Sequence, residues 1–149
     1  MLNLSRIRIL TIGKQRPGWW QEAASMYSKR LPGLEIIELK DSTVEKEGIA
    51  IINCLKNNEK LILSSEEGAQ YNSREFAQKL NSLTVDRIAI AIGGADGHSK
   101  SLKEKANLII SLSALTFPHE LARLILLEQI YRSSTILQGG PYHRDYKHN

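Results

Sequence analysis

The chain of 149 residues contains one cysteine, Cys54, so an intramolecular disulfide is excluded. Four prolines and the absence of a Pro-, Gly- or Ser-rich run leave no linker, and no internal repeat or low-complexity tract is present. Aromatic residues make up only 6%. No apolar run is long enough to cross a bilayer: Ile7–Ile12, near the N-terminus, is short and interrupted by Arg8. With no secretory leader legible and a lone thiol, a cytoplasmic protein without a membrane partner is expected. Hydrophobic residues at 42% and charged residues at 24% exclude a disordered or collagen-like chain. The length points to a single domain, residues 1–149, large enough to bury a core without staples. Twenty Lys and Arg against sixteen Asp and Glu give a formal net charge of +4, compatible with a nucleic-acid partner but unspecific by itself.

Strand-like and helix-like segments alternate. Ile7–Gly13, Leu34–Leu39, Leu61–Leu63, Ile88–Ile92 and Leu108–Leu112 are apolar and rich in Ile and Leu, as strands buried on both faces require. Trp19–Arg30, Ile49–Leu55, Ser73–Leu83, Ser101–Ala106 and Pro118–Ser134 carry apolar residues at helical spacing. Lys40–Glu47 reads as a charged loop, Ser73 as the N-cap of its helix, and Pro118 as part of the first turn of the last helix. Adjacent tryptophans on a helix point in different directions, so one of Trp19 and Trp20 is expected in the core. The alternation predicts an α/β fold with a parallel sheet flanked by helices. Ligands of such sheets bind at the carboxyl ends of strands, which selects the loops after Leu63, Ile92 and Leu112.

Familiar catalytic signatures are missing. Gly93-Gly94-Ala95-Asp96-Gly97 follows a buried strand but matches neither the dinucleotide fingerprint nor a P-loop. His119-Glu120-Leu121-Ala122-Arg123 has Arg where a zinc protease helix needs its second His. The histidines are scattered, so no metal is expected. There is no nucleophile elbow, and Cys54 in its apolar stretch reads as an inert thiol. Lys14 and Arg16 are unspecific candidates for phosphate contacts. The ending Gly139–Asn149 interleaves Tyr142 and Tyr146 with His143, Arg144, Lys147 and His148. Aromatics and cations of this kind can stack on a base and hold phosphate, although composition alone favours a frayed polar terminus.

Taken jointly, Ile90–Gly97, the run Ser111-Leu112-Ser113-Ala114-Leu115-Thr116-Phe117-Pro118-His119, the helical Glu128-Gln129-Ile130-Tyr131-Arg132 and the ending Pro141-Tyr142-His143-Arg144 resemble the RlmH family over nearly the whole chain. The resemblance implies a methyltransferase that uses S-adenosylmethionine to methylate N3 of a pseudouridine in 23S ribosomal RNA within the ribosome. It implies the SPOUT fold, whose C-terminal part threads a trefoil knot, and a homodimer in which the partner chain completes the pocket. Carried over by position, the methyl donor would be held by Ser64, Gly93 and the segment Leu112, Ser113, Ala114, Leu115, Thr116 and Phe117. A glycine at 93 would remove the Cβ that obstructs a ligand. Tyr142, His143 and Arg144 would act on the RNA side, with His143 or water taking the imide proton. After the third strand this chain has Ser64-Ser65-Glu66-Glu67, where the family has Leu followed by an acidic residue. Two rivals stay open: a SPOUT methyltransferase with another RNA target, and a non-enzymatic α/β binding protein.

Overall fold

The computed structural model describes residues 1–145. Five parallel strands form one sheet: β1 (Ile7–Ile12), β2 (Glu35–Leu39), β3 (Glu59–Gln70), β4 (Arg87–Ile92) and β5 (Leu108–Ser111). Their spatial order is β2-β1-β4-β3-β5. Five helices connect or follow them: α1 (Trp19–Lys29), α2 (Val44–Cys54), α3 (Ser73–Leu83), α4 (Lys100–Lys105) and α5 (His119–Leu137). β4 lies between β1 and β3, so both of its edges are paired. Its Ile88, Ile90 and Ile92 join the larger core with Ile7, Ile9, Phe76 and Leu126, while Ala89 and Ala91 join the smaller one with Leu10, Ile51, Leu63 and Leu102. The alternation of Ile and Ala along one strand thus sorts two faces. The Ile side meets the layer in which α5 packs against α1 and α3, and the Ala side meets α2 and α4.

Several local expectations are corrected. α2 begins at Val44, because Thr43 accepts a hydrogen bond from the Lys46 N–H (3.2 Å) and caps the charged stretch as helix. α3 is capped by Asn72, not Ser73: Asn72 Oδ1 accepts from Glu75 N–H and Glu75 Oε1 from Asn72 N–H, a reciprocal capping box. Pro118 precedes α5, its carbonyl accepting the Ala122 N–H at 3.0 Å. Neither tryptophan is core. Trp19 is 59% exposed and Trp20 half-buried, and their rings stack on each other 4.2 Å apart. Cys54 is half-buried at the end of α2, where Arg8 donates to its carbonyl at 2.9 Å.

The same Arg8 forms a two-pronged pair with Glu59 (Nε–Oε2 2.7 Å, Nη2–Oε1 2.5 Å) and is 7% exposed. Burial alone would raise the Glu59 pKa, but the Arg8 guanidinium and the Lys56 N–H hold it below the usual carboxylate range. This pair ties β1, the start of β3 and the end of α2 together at the amino ends of the strands. The opposite end of the sheet is left to the loops.

β3 departs most from expectation. Leu61–Leu63 is the centre of a strand of 12 residues. It pairs with β4 from Glu59 to Ser64 and with β5 at Ile62–Ser64, slips register, and rejoins β5 at Ala69 and Gln70. The excursion Ser65–Gly68 carries the chain past the carboxyl end of β4.

Candidate active site

The carboxyl ends of β3, β4 and β5 enclose a cleft of about 730 Å³, within the range of small-molecule sites, about 300–1,000 Å³. Its three walls are the Ser64–Glu67 segment, the Gly93–His98 turn and the loop Leu112–Pro118, closed off by His119 and Ala122 of α5. These are the loops that the sheet argument selects. Ser64, Gly93, Leu112, Ser113, Leu115, Thr116 and Phe117 all line it. Ala114 is exposed and is not among the lining residues.

The turn is closed by Gly97 N–H donating to the Gly94 carbonyl at 3.1 Å. A Cβ at Gly93 would stand 3.0 Å from the Gly97 carbonyl carbon and oxygen. The turn's own closure therefore favours glycine at 93, a reason internal to the fold that stands beside the ligand clearance expected from sequence. Beneath the turn lies the buried Glu47, whose carboxylate accepts the Ser42 N–H at 2.9 Å. Burial, with Asp41 and Asp96 nearby, raises its pKa.

The third wall is shaped by its own side chains. Ser111 Oγ donates to the Ser113 carbonyl (2.9 Å) and Ser113 Oγ accepts the Leu115 N–H (3.0 Å). Leu115 is left 70% exposed on the rim. Glu66, Glu67 and Asp96 put carboxylates on the lining, and Lys103 pairs with Glu67 at 2.9 Å.

His98 and His119 also line the cleft; sequence reasoning left His119 to shape the pocket or a dimer contact and gave His98 no role. His119 sits 3.2 Å from the buried Glu120, which also meets the exposed Arg16 at 3.4 Å. Arg123 turns away and donates to Glu38 at 2.8 Å, which lowers the Glu38 pKa. No local signal marked His98, because its partner is distant in the chain.

The tail is docked rather than frayed as far as it is described. Tyr142 packs edge-on against Tyr131, donates to Glu128 at 3.1 Å and meets the Tyr27 hydroxyl at 3.2 Å. Burial and these partners push its pKa up. Arg132 lies over the Tyr142 ring, pairs with Glu128 and approaches His143 Nδ1 at 3.0 Å. A guanidinium only donates, so Nδ1 accepts and Nε2 carries the proton, facing Asp145 at 3.1 Å. Asp145 is held at about 2 by its hydrogen bonds from Arg74. Arg144 is exposed. None of Tyr142, His143 and Arg144 lines the cleft of its own chain. Tyr146, Lys147 and His148 lie outside the described residues.

A family described as "Predicted SPOUT methyltransferase" matches residues 5–143. The chain is 57% identical over 144 residues to "Ribosomal RNA large subunit methyltransferase H" of Synechococcus sp. (strain RCC307), covering 97% of this chain and 98% of that protein. This chain belongs to that family of SPOUT methyltransferases. The protein of the same name from Prochlorococcus marinus (strain SARG) is 53% identical over 145 residues, covering 97% of this chain and 100% of that one. Among solved structures, a probable methylase family protein from Haemophilus influenzae Rd KW20 shares the fold, with a TM-score of 0.60 at 17% identity over 91% of this chain and 67% of the other.

Proposed function

We propose that this methyltransferase uses S-adenosylmethionine to methylate N3 of a pseudouridine in 23S ribosomal RNA of the assembled ribosome, acting as a homodimer in the cytoplasm. The observation that carries the reading is the convergence of the Gly93 turn and the Leu112–Phe117 loop on one open cleft. The residues present fit the donor. Loop backbone and the exposed Leu115 can frame a flat adenine, and Glu66, Glu67 and Asp96 suit a ligand that carries positive charge. No metal is called for, because the donor's sulfur already activates the methyl group. Transfer forms one N–C bond, breaks one C–S bond and releases the imide proton.

The chain's contribution is position. Holding nitrogen, methyl carbon and sulfur in line supplies several kcal/mol, up to about 7–11 in ideal cases. The RNA side is assigned to Tyr142, His143 and Arg144. Because the described tail docks on α5 and not in its own cleft, these residues reach a reacting nucleotide in the cleft of a second copy. Partly exposed Leu121, Leu124 and Ile125 on α5 and the exposed Leu115 support a paired assembly. With Nδ1 facing Arg132 and Nε2 facing Asp145, His143 orients the target in this arrangement, and water is the better acceptor for the imide proton. A dimer doubles the charge of +4, so binding to ribosomes weakens as salt rises. A knotted C-terminal part belongs to this reading through the family resemblance alone; β5 lies at the sheet edge and α5 packs on α1 and α3.

The test is methyl transfer from labelled donor to ribosomes lacking the modification, followed by mapping of the labelled nucleotide. Label at N3 of one large-subunit pseudouridine is expected. Label on another nucleotide favours a different RNA target, and donor binding without transfer favours a non-enzymatic binding protein.

A further inference from the structure

His98 follows the glycine turn directly, and the next residue, Ser99, caps α4 by accepting the Leu102 N–H at 3.1 Å. The histidine is therefore pinned between a tight turn and a helix start. It is 8% exposed, and its Nε2 lies 3.1 Å from the Ser64 carbonyl oxygen on the facing wall, 34 residues away in sequence. A carbonyl only accepts, so Nε2 carries the proton. Burial lowers the pKa of the ring, opposed in part by the Ser64 and Ala91 carbonyls, and keeps it neutral at pH 7. Nδ1 is then a bare acceptor, buried without a hydrogen-bond partner among the described residues.

That orphan acceptor is informative. An apolar side chain would fill the same space without stranding a lone pair, so what histidine adds is the Nε2–H. The place it acts is where the sheet runs out. β3 and β4 pair as far as Ser64 opposite Ile92, after which β4 turns at Gly93 and β3 begins its excursion. The imidazole bridges the two walls at the point where the backbone ladder stops.

We propose that His98 is a positioning residue for the methyl-donor site, a neutral strut that ties the Ser64–Glu67 wall to the glycine turn and sets the width of the cleft. The inference rests on the methyl-transfer reading and names a determinant of donor affinity within it. Its Nε2–H is taken up by the Ser64 carbonyl, so its loss acts on donor binding more than on chemistry at saturation.

The experiment compares His98→Leu, His98→Gln and His98→Asn with the wild type, measuring S-adenosylmethionine Kd by calorimetry, donor KM and kcat on ribosomes, and Tm. Gln can place an amide N–H where imidazole Nε2–H lies, whereas Asn falls short of it. Leu and Asn are expected to raise donor Kd and KM about tenfold, with kcat at saturation within about twofold and Gln close to wild type. The proposal is overturned if Leu lowers kcat in step with the folded fraction while donor KM stays unchanged, since that marks a purely structural residue. It is equally overturned if folded Gln binds donor as weakly as Asn. Should Leu fail to fold, the contrast between Gln and Asn decides alone. A wild-type protein that binds no donor overturns the methyl-transfer reading together with this inference, and is told apart by that binding measurement.

Discussion

Replacing Gly68 by Ala tests whether the β3 excursion sets the position of the Leu112–Phe117 loop. A Cβ there would stand 2.5 Å from the Ile110 carbonyl carbon, 2.6 Å from that of Ile109 and 2.7 Å from the Ile109 oxygen. Carbon atoms rest at about 3.5–4.0 Å, so relief requires the two segments to part by about 1 Å. The atoms struck are backbone of β5, so no side-chain rotation absorbs the clash. Ile110 is itself buried at 3% exposure. Overpacking costs about 1–3 kcal/mol, and contact with backbone places this case at about 3. At about 2–4 °C per kcal/mol for a chain of this size, Tm falls by about 6–12 °C. The strand that is displaced leads into the Leu112–Phe117 wall, and a misplacement of about 1 Å can cost about a hundredfold in kcat/KM. The comparison variant is Gly97→Ala. It meets nothing within 4 Å but must hold φ at +72°, a strain of about 1–2 kcal/mol. Thermal unfolding by circular dichroism and donor-dependent methyl transfer read both. A Gly68→Ala protein melting within about 1 °C of wild type, or more stable than Gly97→Ala, refutes the reasoning.

Two further perturbations act elsewhere. Arg8→Leu or Glu59→Leu strands a buried charge and should cost about 3–5 kcal/mol in urea unfolding, with the double variant recovering much of it; single losses below about 1 kcal/mol would show the pair to be immaterial. The third concerns acid. His98 has a folded pKa below its unfolded value of about 6.5, so the unfolded chain binds the extra proton and stability declines as pH drops through about 6.5, levelling off below the folded pKa. Lys103, which pairs with Glu67, is the cation that reinforces this shift. Unfolding free energies at about pH 7.5 and about pH 5.5 should differ more for wild type than for His98→Gln, and equal slopes would remove His98 from the acid limb.

How legible the site was depended on the range of the interaction that built each part. The strand-end loops could be selected from pattern, since Ile88–Ile92 followed by Gly93-Gly94 reads as a buried strand and its exit turn. The run from Leu112 to Phe117 was marked by resemblance and, apart from Ala114, lines the cleft. Errors came where a neighbour in space overrode a local signal. The polar stretch Ser65–Gln70 looks like loop, yet it extends β3 because β5 lies alongside it. Trp19 and Trp20 looked like a core candidate and a surface residue, yet each covers the other. The tail read as frayed by composition, but Glu128, Arg132 and Tyr131 on α5 give it partners.

By itself the sequence determined the alternation of strands and helices, the parallel sense of the sheet and the end of it where the cleft opens, because apolar periodicity, capping residues and glycine turns act over a few residues. The tertiary structure alone decided that β4 inserts between β1 and β3, that His98 meets the carbonyl of Ser64, and that the described tail lies on α5 away from its own cleft. Those outcomes follow from strand register and from burial shared between segments far apart in the chain, and no local pattern carries either.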